Sequence, residues 1–192
     1  MQSFTSAKEY HVKASRRRAA ILKYCWNDTE HFFFDYQFKQ QTTTNKWSLA
    51  GMLPLFTSIA SRQQAGFVQE HLQQKFLKDG GLLTTPYHTG QQWDAPNGWA
   101  PLQYLSIQGL MNYSFDSLAE TIAQRWMQVN EKVFENTGKM MEKYNVENIH
   151  LESGGGEYPS QDGFGWSNGV YLKLYSMFRN NSYQTNPVKE PI

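Results

Sequence analysis

The chain has 192 residues, a formal charge of +1 and an aromatic complement of 6 Trp, 11 Tyr and 12 Phe. That length suits one domain with a sizeable core, and the near-neutral balance gives no electrostatic case for nucleic acid or an anionic membrane. No stretch reaches the ~18 apolar residues of a membrane span, and Cys25, the only cysteine, excludes an intrachain disulfide and a thiolate zinc site.

Helical signals dominate the chain. Residues 6–25 read as an amphipathic helix with Tyr10, Ala14, Ile21 and Cys25 near one face, and with Arg16-Arg17-Arg18 as a solvated run. Phe32-Phe33-Phe34-Asp35-Tyr36 suggests a small hairpin strand or an extended loop. Residues 46–61 read as a more buried helix through Leu49, Leu53, Phe56 and Ala60, with Pro54 kinking it or marking its true first turn. A helix over 64–77 follows, with Val68, Leu72 and Phe76 on one stripe, and Gly80-Gly81 stops it. The segment 83–100 is loop-like. Pro101 suits a first helical turn, and Leu102, Leu105, Ile107, Leu110 and Met111 make that helix apolar almost all round, as for an inner helix. Ser117-Leu118-Ala119-Glu120 resembles a capping box opening a long amphipathic helix with Leu118, Ile122, Trp126, Val129 and Val133 on one face. A Gly-rich loop over 147–162 and an apolar helix over 163–178 close the pattern, and the tail after Arg179 is polar. The fold class is all-α. Alternating inner and outer helices joined by long loops fit part of an α/α toroid, and a plain helical bundle fits them equally.

Several stretches carry chemistry. Trp93 and Trp99 on a loop before an inner helix suit ligand contact, with Asp94 beside them to accept from a sugar hydroxyl; equally, the tryptophans plug the core and Asp94 caps the next helix. Glu142 in Glu142-Lys143-Tyr144-Asn145-Val146 can activate a water if its neighbours leave it deprotonated, against the plainer reading of an exposed Glu beside a Lys. Gly154-Gly155-Gly156-Glu157-Tyr158 lets backbone approach a ligand and presents Glu157; it lacks the Gly-Lys-Ser/Thr ending of a phosphate loop. In Gln161-Asp162-Gly163-Phe164-Gly165-Trp166-Ser167-Asn168-Gly169, Asp162 or Ser167-Asn168 caps the last helix, or the aromatics form a binding wall. His11, His31, His71, His88 and His150 lack metal-ligand spacing and read as core or surface residues, with His88 nearest the Trp93 loop. No Gly-x-Ser-x-Gly elbow marks a serine hydrolase.

Taken together these motifs resemble a known family. Gln92-Trp93-Asp94-Ala95-Pro96-Asn97-Gly98-Trp99-Ala100-Pro101 is similar to the second signature of the trehalases, the inverting glycoside hydrolases of family 37. Glu142 to Val146 resembles that family's Glu-Lys-Tyr-Asp/Asn-Val element, and Gly154 to Pro159 with Gln161 to Val170 resembles its final Gly-rich element. The likeness runs from about Arg17 to Phe178.

The resemblance implies part of an (α/α)6 toroid over residues 1–179, a polar tail over 180–192, and hydrolysis of α,α-trehalose to two glucoses without a cofactor or metal. It implies that Glu142 is the general base, whereas the residues alone rank Glu157 higher. It places Gln92, Trp93, Asp94, Trp99 and Glu157 at the sugar, with Phe164 and Trp166 walling the pocket. In such inverting enzymes the acid and base stand roughly 6.5–9.5 Å apart to admit a water. The family's acid is an Asp in an Arg-x-Glu-Ser-Gly-Trp-Asp-like element, and that element does not occur in these 192 residues. Neither does the Pro-Gly-Gly-Arg start of the first signature. The expectation is a C-terminal trehalase portion that binds trehalose or glucose and holds the base without the acid. It is then inactive alone and partners either an N-terminal trehalase region or a second copy through an open toroid edge. A non-catalytic carbohydrate-binding or structural remnant is the alternative. No signal-peptide pattern follows Met1, which leaves cytoplasm and periplasm both open.

Overall fold

The computed structural model describes residues 2–151 and 156–179. It is mostly helical, with helices α1 (Gln2–Tyr24), α2 (Leu53–Phe56), α3 (Arg62–His71), α4 (Ala100–Met111), α5 (Asp116–Thr137) and α6 (Gly165–Phe178). The all-α expectation is corrected in one respect. Four two-stranded antiparallel ribbons join the helices: β1 (Trp26–Asn27) with β2 (Phe32–Phe33), β3 (Tyr36–Gln37) with β4 (Thr42–Thr43), β5 (Leu77–Lys78) with β6 (Gly81–Leu82), and β7 (Asn97–Trp99) with β8 (Lys143–Asn145). The polar tail expected over 180–192 lies outside the described residues.

The inner position predicted for the Pro101 helix is what the packing shows. α4 meets α2, α5 and α6, and it buries Ala100, Gln103, Ser106, Ile107, Gly109 and Leu110. Gly109 permits the close approach of α2, because a β-carbon there would stand 3.0 Å from the Phe56 amide nitrogen. α5 buries Ile122, Trp126, Val129 and Val133 on its predicted face. It ends at Gly138, whose φ of 70° lets its N–H close back onto the Phe134 carbonyl at 2.7 Å. Phe32, Phe33 and Phe34 are all buried, and Phe32 packs on Trp47 and Phe76.

Three local expectations are overturned. The stripe predicted over 6–25 is not a buried face: residues 6–20 of α1 are exposed, and the helix meets the core through Ile21, Leu22 and Cys25. The stretch 46–61 is not one long helix. It is a 3₁₀ turn over Leu49–Met52 followed by the single turn of α2, with Pro54 in its first turn, where a missing N–H costs nothing. The capping box at Ser117 does not form, since α5 starts at Asp116 without a side-chain cap. The box sits instead on α3, where the Ser61 hydroxyl accepts from the Gln64 N–H and Gln64 Oε1 accepts from the Ser61 N–H. The helix predicted over 64–77 ends differently, widening from α3 into a π turn over Leu72–Phe76 before β5.

Gln103 ties α4 to the β5–β6 ribbon. Its buried amide donates to the Leu82 carbonyl at 2.7 Å and accepts from the Leu82 N–H at 2.9 Å. Gly81, at φ 121°, leaves room for that amide, which would lie 2.9 Å from a β-carbon there. Gln103→Leu keeps the volume but strands both Leu82 groups in the core. We expect a loss of about 2–6 kcal/mol, from ~1–3 kcal/mol for each of the two unsatisfied buried groups. Urea unfolding followed by tryptophan fluorescence measures it, and a change below about 0.5 kcal/mol would contradict the assignment.

Candidate active site

The three motifs singled out in the sequence lie in different loops, and backbone pairing brings them together. β7 runs antiparallel to β8 with Asn97 opposite Asn145, Gly98 opposite Tyr144 and Trp99 opposite Lys143. The Val146 N–H extends the ladder by donating to the Pro96 carbonyl at 3.0 Å. Gly98 is required at this crossing, because a β-carbon there would lie 2.5 Å from Val146 Cγ1 and 2.9 Å from the Leu82 carbonyl oxygen. On the other side of Glu142, its N–H donates to the Gln161 carbonyl at 2.8 Å, and the Gly163 N–H donates to the Met140 carbonyl at 2.9 Å. The Trp166 indole donates to the Glu142 carbonyl at 3.0 Å, and the Ser167 hydroxyl donates to the Met141 carbonyl at 2.6 Å.

The aromatic residues form one wall. Trp93 lies flat on Trp99, with ring centroids 3.9 Å apart and planes 6° apart. Trp99 meets the edge of Trp166 at 5.7 Å, and Trp166 meets Phe164 at 5.0 Å. Trp99 is buried, whereas Trp93 is 48% exposed with one face on Trp99. Gln92 anchors the loop, its carbonyl accepting from the Trp99 indole and the Asn97 amide, both at 3.1 Å. Asp94 does not cap α4, whose N-cap is Trp99. Its Oδ2 accepts from the N–H and hydroxyl of Thr89 and from the Gln91 N–H, holding its own loop closed. Its Oδ1, like Gln92 Oε1, is buried with no hydrogen-bond partner.

Glu142 is buried rather than an exposed Glu beside a Lys. Its Oε1 accepts from the Tyr158 hydroxyl at 3.1 Å, and its Oε2 has no hydrogen-bond donor. Lys143 Nζ stands 3.7 Å from that second oxygen. Burial pushes the Lys143 ammonium below its ordinary pKa, and the Glu142 charge opposes the shift. The Tyr158 phenol is pushed up, first by desolvation and then by Glu142 and Glu157. The loop bearing Tyr158 is pinned from below, with Gln92 Nε2 donating to the Tyr158 carbonyl at 3.2 Å. Gly156, at φ 138°, packs so closely on the Gln92 amide that a β-carbon would lie 2.7 Å from it.

The remaining candidates are placed as follows. Glu157 is exposed on that loop, and Gly154-Gly155 lie outside the described residues. Neither Asp162 nor Ser167 caps α6: Asp162 pairs with Lys139 at 2.5 Å, and Phe164 is the N-cap. Nor does Asn168 cap it through its own position; its side-chain amide donates to the Phe164 carbonyl at 2.8 Å. His88 pairs with Glu147 at 2.7 Å on the surface. No group of three His, Cys, Asp or Glu side chains that could hold a metal occurs among the described residues. Lys143 and Tyr158 carry no role in the sequence reading, because a lysine is ordinarily solvated and spacing alone does not reveal a partner 16 residues away. The arrangement is a buried carboxylate with one oxygen tethered by a phenol and the other facing the Lys143 ammonium, while Trp166 of the aromatic wall bonds the Glu142 backbone carbonyl. A carboxylate so held is the kind of group that can accept a proton.

Comparison with known proteins agrees with this arrangement of motifs. The sequence profile of the Trehalase family matches residues 1–179. The chain is 42% identical to the periplasmic trehalase of Pseudomonas aeruginosa over 169 residues, covering 88% of this chain and 31% of that one. It is 40% identical to the periplasmic trehalase of Citrobacter koseri, covering 90% and 30%. The chain thus spans about a third of the length of these curated relatives. Among solved structures, neutral trehalase from Saccharomyces cerevisiae superposes with a TM-score of 0.75 at 30% identity, over 91% of this chain and 32% of that one. A family 63 mannosylglycerate hydrolase from Thermus thermophilus in complex with glucose shares the fold, with a TM-score of 0.57 at 20% identity over 80% of this chain and 36% of that one. With a family profile over residues 1–179 and relatives at 40–42% identity, this chain belongs to the trehalase family.

Proposed function

We propose that this chain is the base-bearing portion of an inverting α,α-trehalose hydrolase, and that a region carrying the acid completes the site and the (α/α)6 toroid. The observation that supports the reading is Glu142 Oε2, buried with no hydrogen-bond donor and facing Lys143 Nζ at 3.7 Å, on a residue whose backbone carbonyl is bonded by Trp166 of the aromatic wall. Tyr158 restrains Oε1, so Oε2 is the oxygen that takes a proton from water. That water attacks the anomeric carbon on the face opposite the glycosidic bond, while the acid protonates the departing oxygen. With inversion, one glucose leaves as the β-anomer and the other as the α-anomer. Trp93 offers its exposed ring to a pyranose face, and Gln92 Oε1 and Asp94 Oδ1 accept from sugar hydroxyls. Glu157 reaches the sugar from the loop, and Phe164 closes the wall behind Trp166.

The exposed Phe134 and Leu172 flank a cavity of about 320 Å³ that also involves Met140 and Tyr171, between α5 and α6. Apolar surface of this kind suits an intramolecular neighbour, and the acid-bearing region is the occupant proposed. Sedimentation that instead shows a dimer, abolished by Leu172→Glu, assigns this edge to a second copy.

The chain alone is expected to release glucose from trehalose negligibly; turnover in the ordinary range of ~1–10³ s⁻¹ would sink the proposal. Fused behind the part of the Pseudomonas aeruginosa periplasmic trehalase that this chain does not cover, it should hydrolyse trehalose, and Glu142→Gln should cost ~10²–10⁴ in kcat, the usual worth of a general base. A fusion that keeps full rate with Glu142→Gln transfers the role elsewhere, Glu157 being the first residue to test. Trehalose added to the isolated chain should change its tryptophan emission, and Trp93→Ala should remove most of the response. If no concentration of trehalose or glucose alters the signal, sugar binding by this portion alone is refuted.

A further inference from the structure

Lys143 is a lysine with no exposed surface. Its ammonium has three donors and makes no hydrogen bond. From its own strand it faces Glu142 Oε2 at 3.7 Å, itself without a donor. Across the ribbon it faces the Trp99 ring at 5.9 Å, and from the 156–160 loop the Tyr158 ring at 4.7 Å. Of these neighbours Glu142 and Tyr158 titrate, and the charge of Glu157 reaches Tyr158.

An ammonium buried among aromatic rings is unfavourable unless something compensates it. The two ring faces compensate in part, because each presents its negative quadrupole. The remaining compensation comes from Glu142, because an opposite charge within ~4–6 Å favours the ionised form of the lysine. The pairing of Lys143 with Trp99 in the β7–β8 register fixes where the cation stands, and Tyr158, by taking Oε1, leaves Oε2 turned to it. We propose that Lys143 is a positioning residue for the base, its buried ammonium pairing with Oε2 and fixing the orientation of the Glu142 carboxylate. The proposal deepens, and rests on, the base role given to Glu142 above.

The coupling is measurable on the chain itself. With ¹³Cε-labelled lysine, the Lys143 resonance is assigned by its disappearance in Lys143→Arg and titrated between about pH 6 and 11. Burial depresses the midpoint and the Glu142 charge lifts it. Glu142→Gln removes the lift and keeps the burial, so the midpoint should fall by about one pH unit or more, a tenfold change in proton affinity. Tyr158→Phe, which leaves the carboxylate in place, should move it far less. If near-UV circular dichroism shows that Glu142→Gln has lost its packing, Glu142→Asp replaces it: the withdrawn charge should lower the midpoint by a smaller, resolved amount. A midpoint unchanged in the folded Glu142 variant overturns the proposal.

In the fused enzyme, Lys143→Met should lower kcat about tenfold with little change in KM, with Lys143→Arg restoring most of it. An unchanged kcat in a folded, active Lys143→Met enzyme also overturns the role. A fusion with no activity but an intact Lys143–Glu142 coupling defeats the hydrolase reading alone. An active fusion without the coupling defeats the Lys143 role alone.

Discussion

Three residues of β7 pair with three residues of β8, and the candidate site depends on that short ladder. The strands flank the α4–α5 helix pair, so the ribbon closes a loop of two packed helices as much as it joins two motifs. It sets Trp99 beside Lys143, and with Lys143 it sets Glu142. The close approach is possible because Gly98 lacks a side chain at the point where Val146 and Leu82 crowd in. Ribbons of two strands are marginal alone. This one is held because α4 begins directly at its end and because Gln103, one turn later, clamps the adjacent ribbon through Leu82.

The burial of Glu142 with Lys143 is hard to explain as a device for stability. At 3.7 Å the pair is longer than a good hydrogen bond, and an apolar pair of similar volume would avoid two desolvation costs. The surroundings are otherwise those of a core: Trp99, Tyr144 and Val146 are all buried. Unpaired polar atoms of Gln92 and Asp94 are buried on the same signature loop. A concentration of uncompensated polarity inside an aromatic setting is what a polyhydroxylated ligand would satisfy.

Much of this was legible in the sequence, and unevenly so. The inner helix was visible at Leu102 to Met111 because residues apolar on every side leave few other places for a helix to go. The buried stripe of α5 was visible because 22 residues are long enough for a 3.6 period to show. The stretch 46–61 misled because Leu49, Leu53, Phe56 and Ala60 keep helical spacing across a break that Pro54 and the positive φ of Ser58 impose. Ser117-x-x-Glu120 matched a capping pattern, but the helix starts from Phe115 as N-cap, two residues too early for it. At the site, Glu142 looked like an exposed Glu beside a Lys, and only the motif resemblance set it above Glu157. Its burial, the Tyr158 tether and the Lys143 charge are products of long-range strand pairing, which no local pattern encodes.

α1 bears on how cooperatively this chain folds. It spans 23 residues, a length at which an isolated helix in water is only marginally formed unless its sequence is rich in strong helix formers. Its side chains from 6 to 20 lie in solvent, and the Arg18 guanidinium reaches the Ser58 carbonyl at only 3.4 Å. Such a helix draws little free energy from the core and frays on its own schedule. Melting of the chain is therefore expected to depart from a single transition. Far-ultraviolet ellipticity falls gradually as α1 unwinds, while the tryptophans, none of which lies in α1, report the later and sharper collapse of the body. Enthalpies from the two probes differ for that reason, and the tryptophan curve is the one that measures the fold around the site.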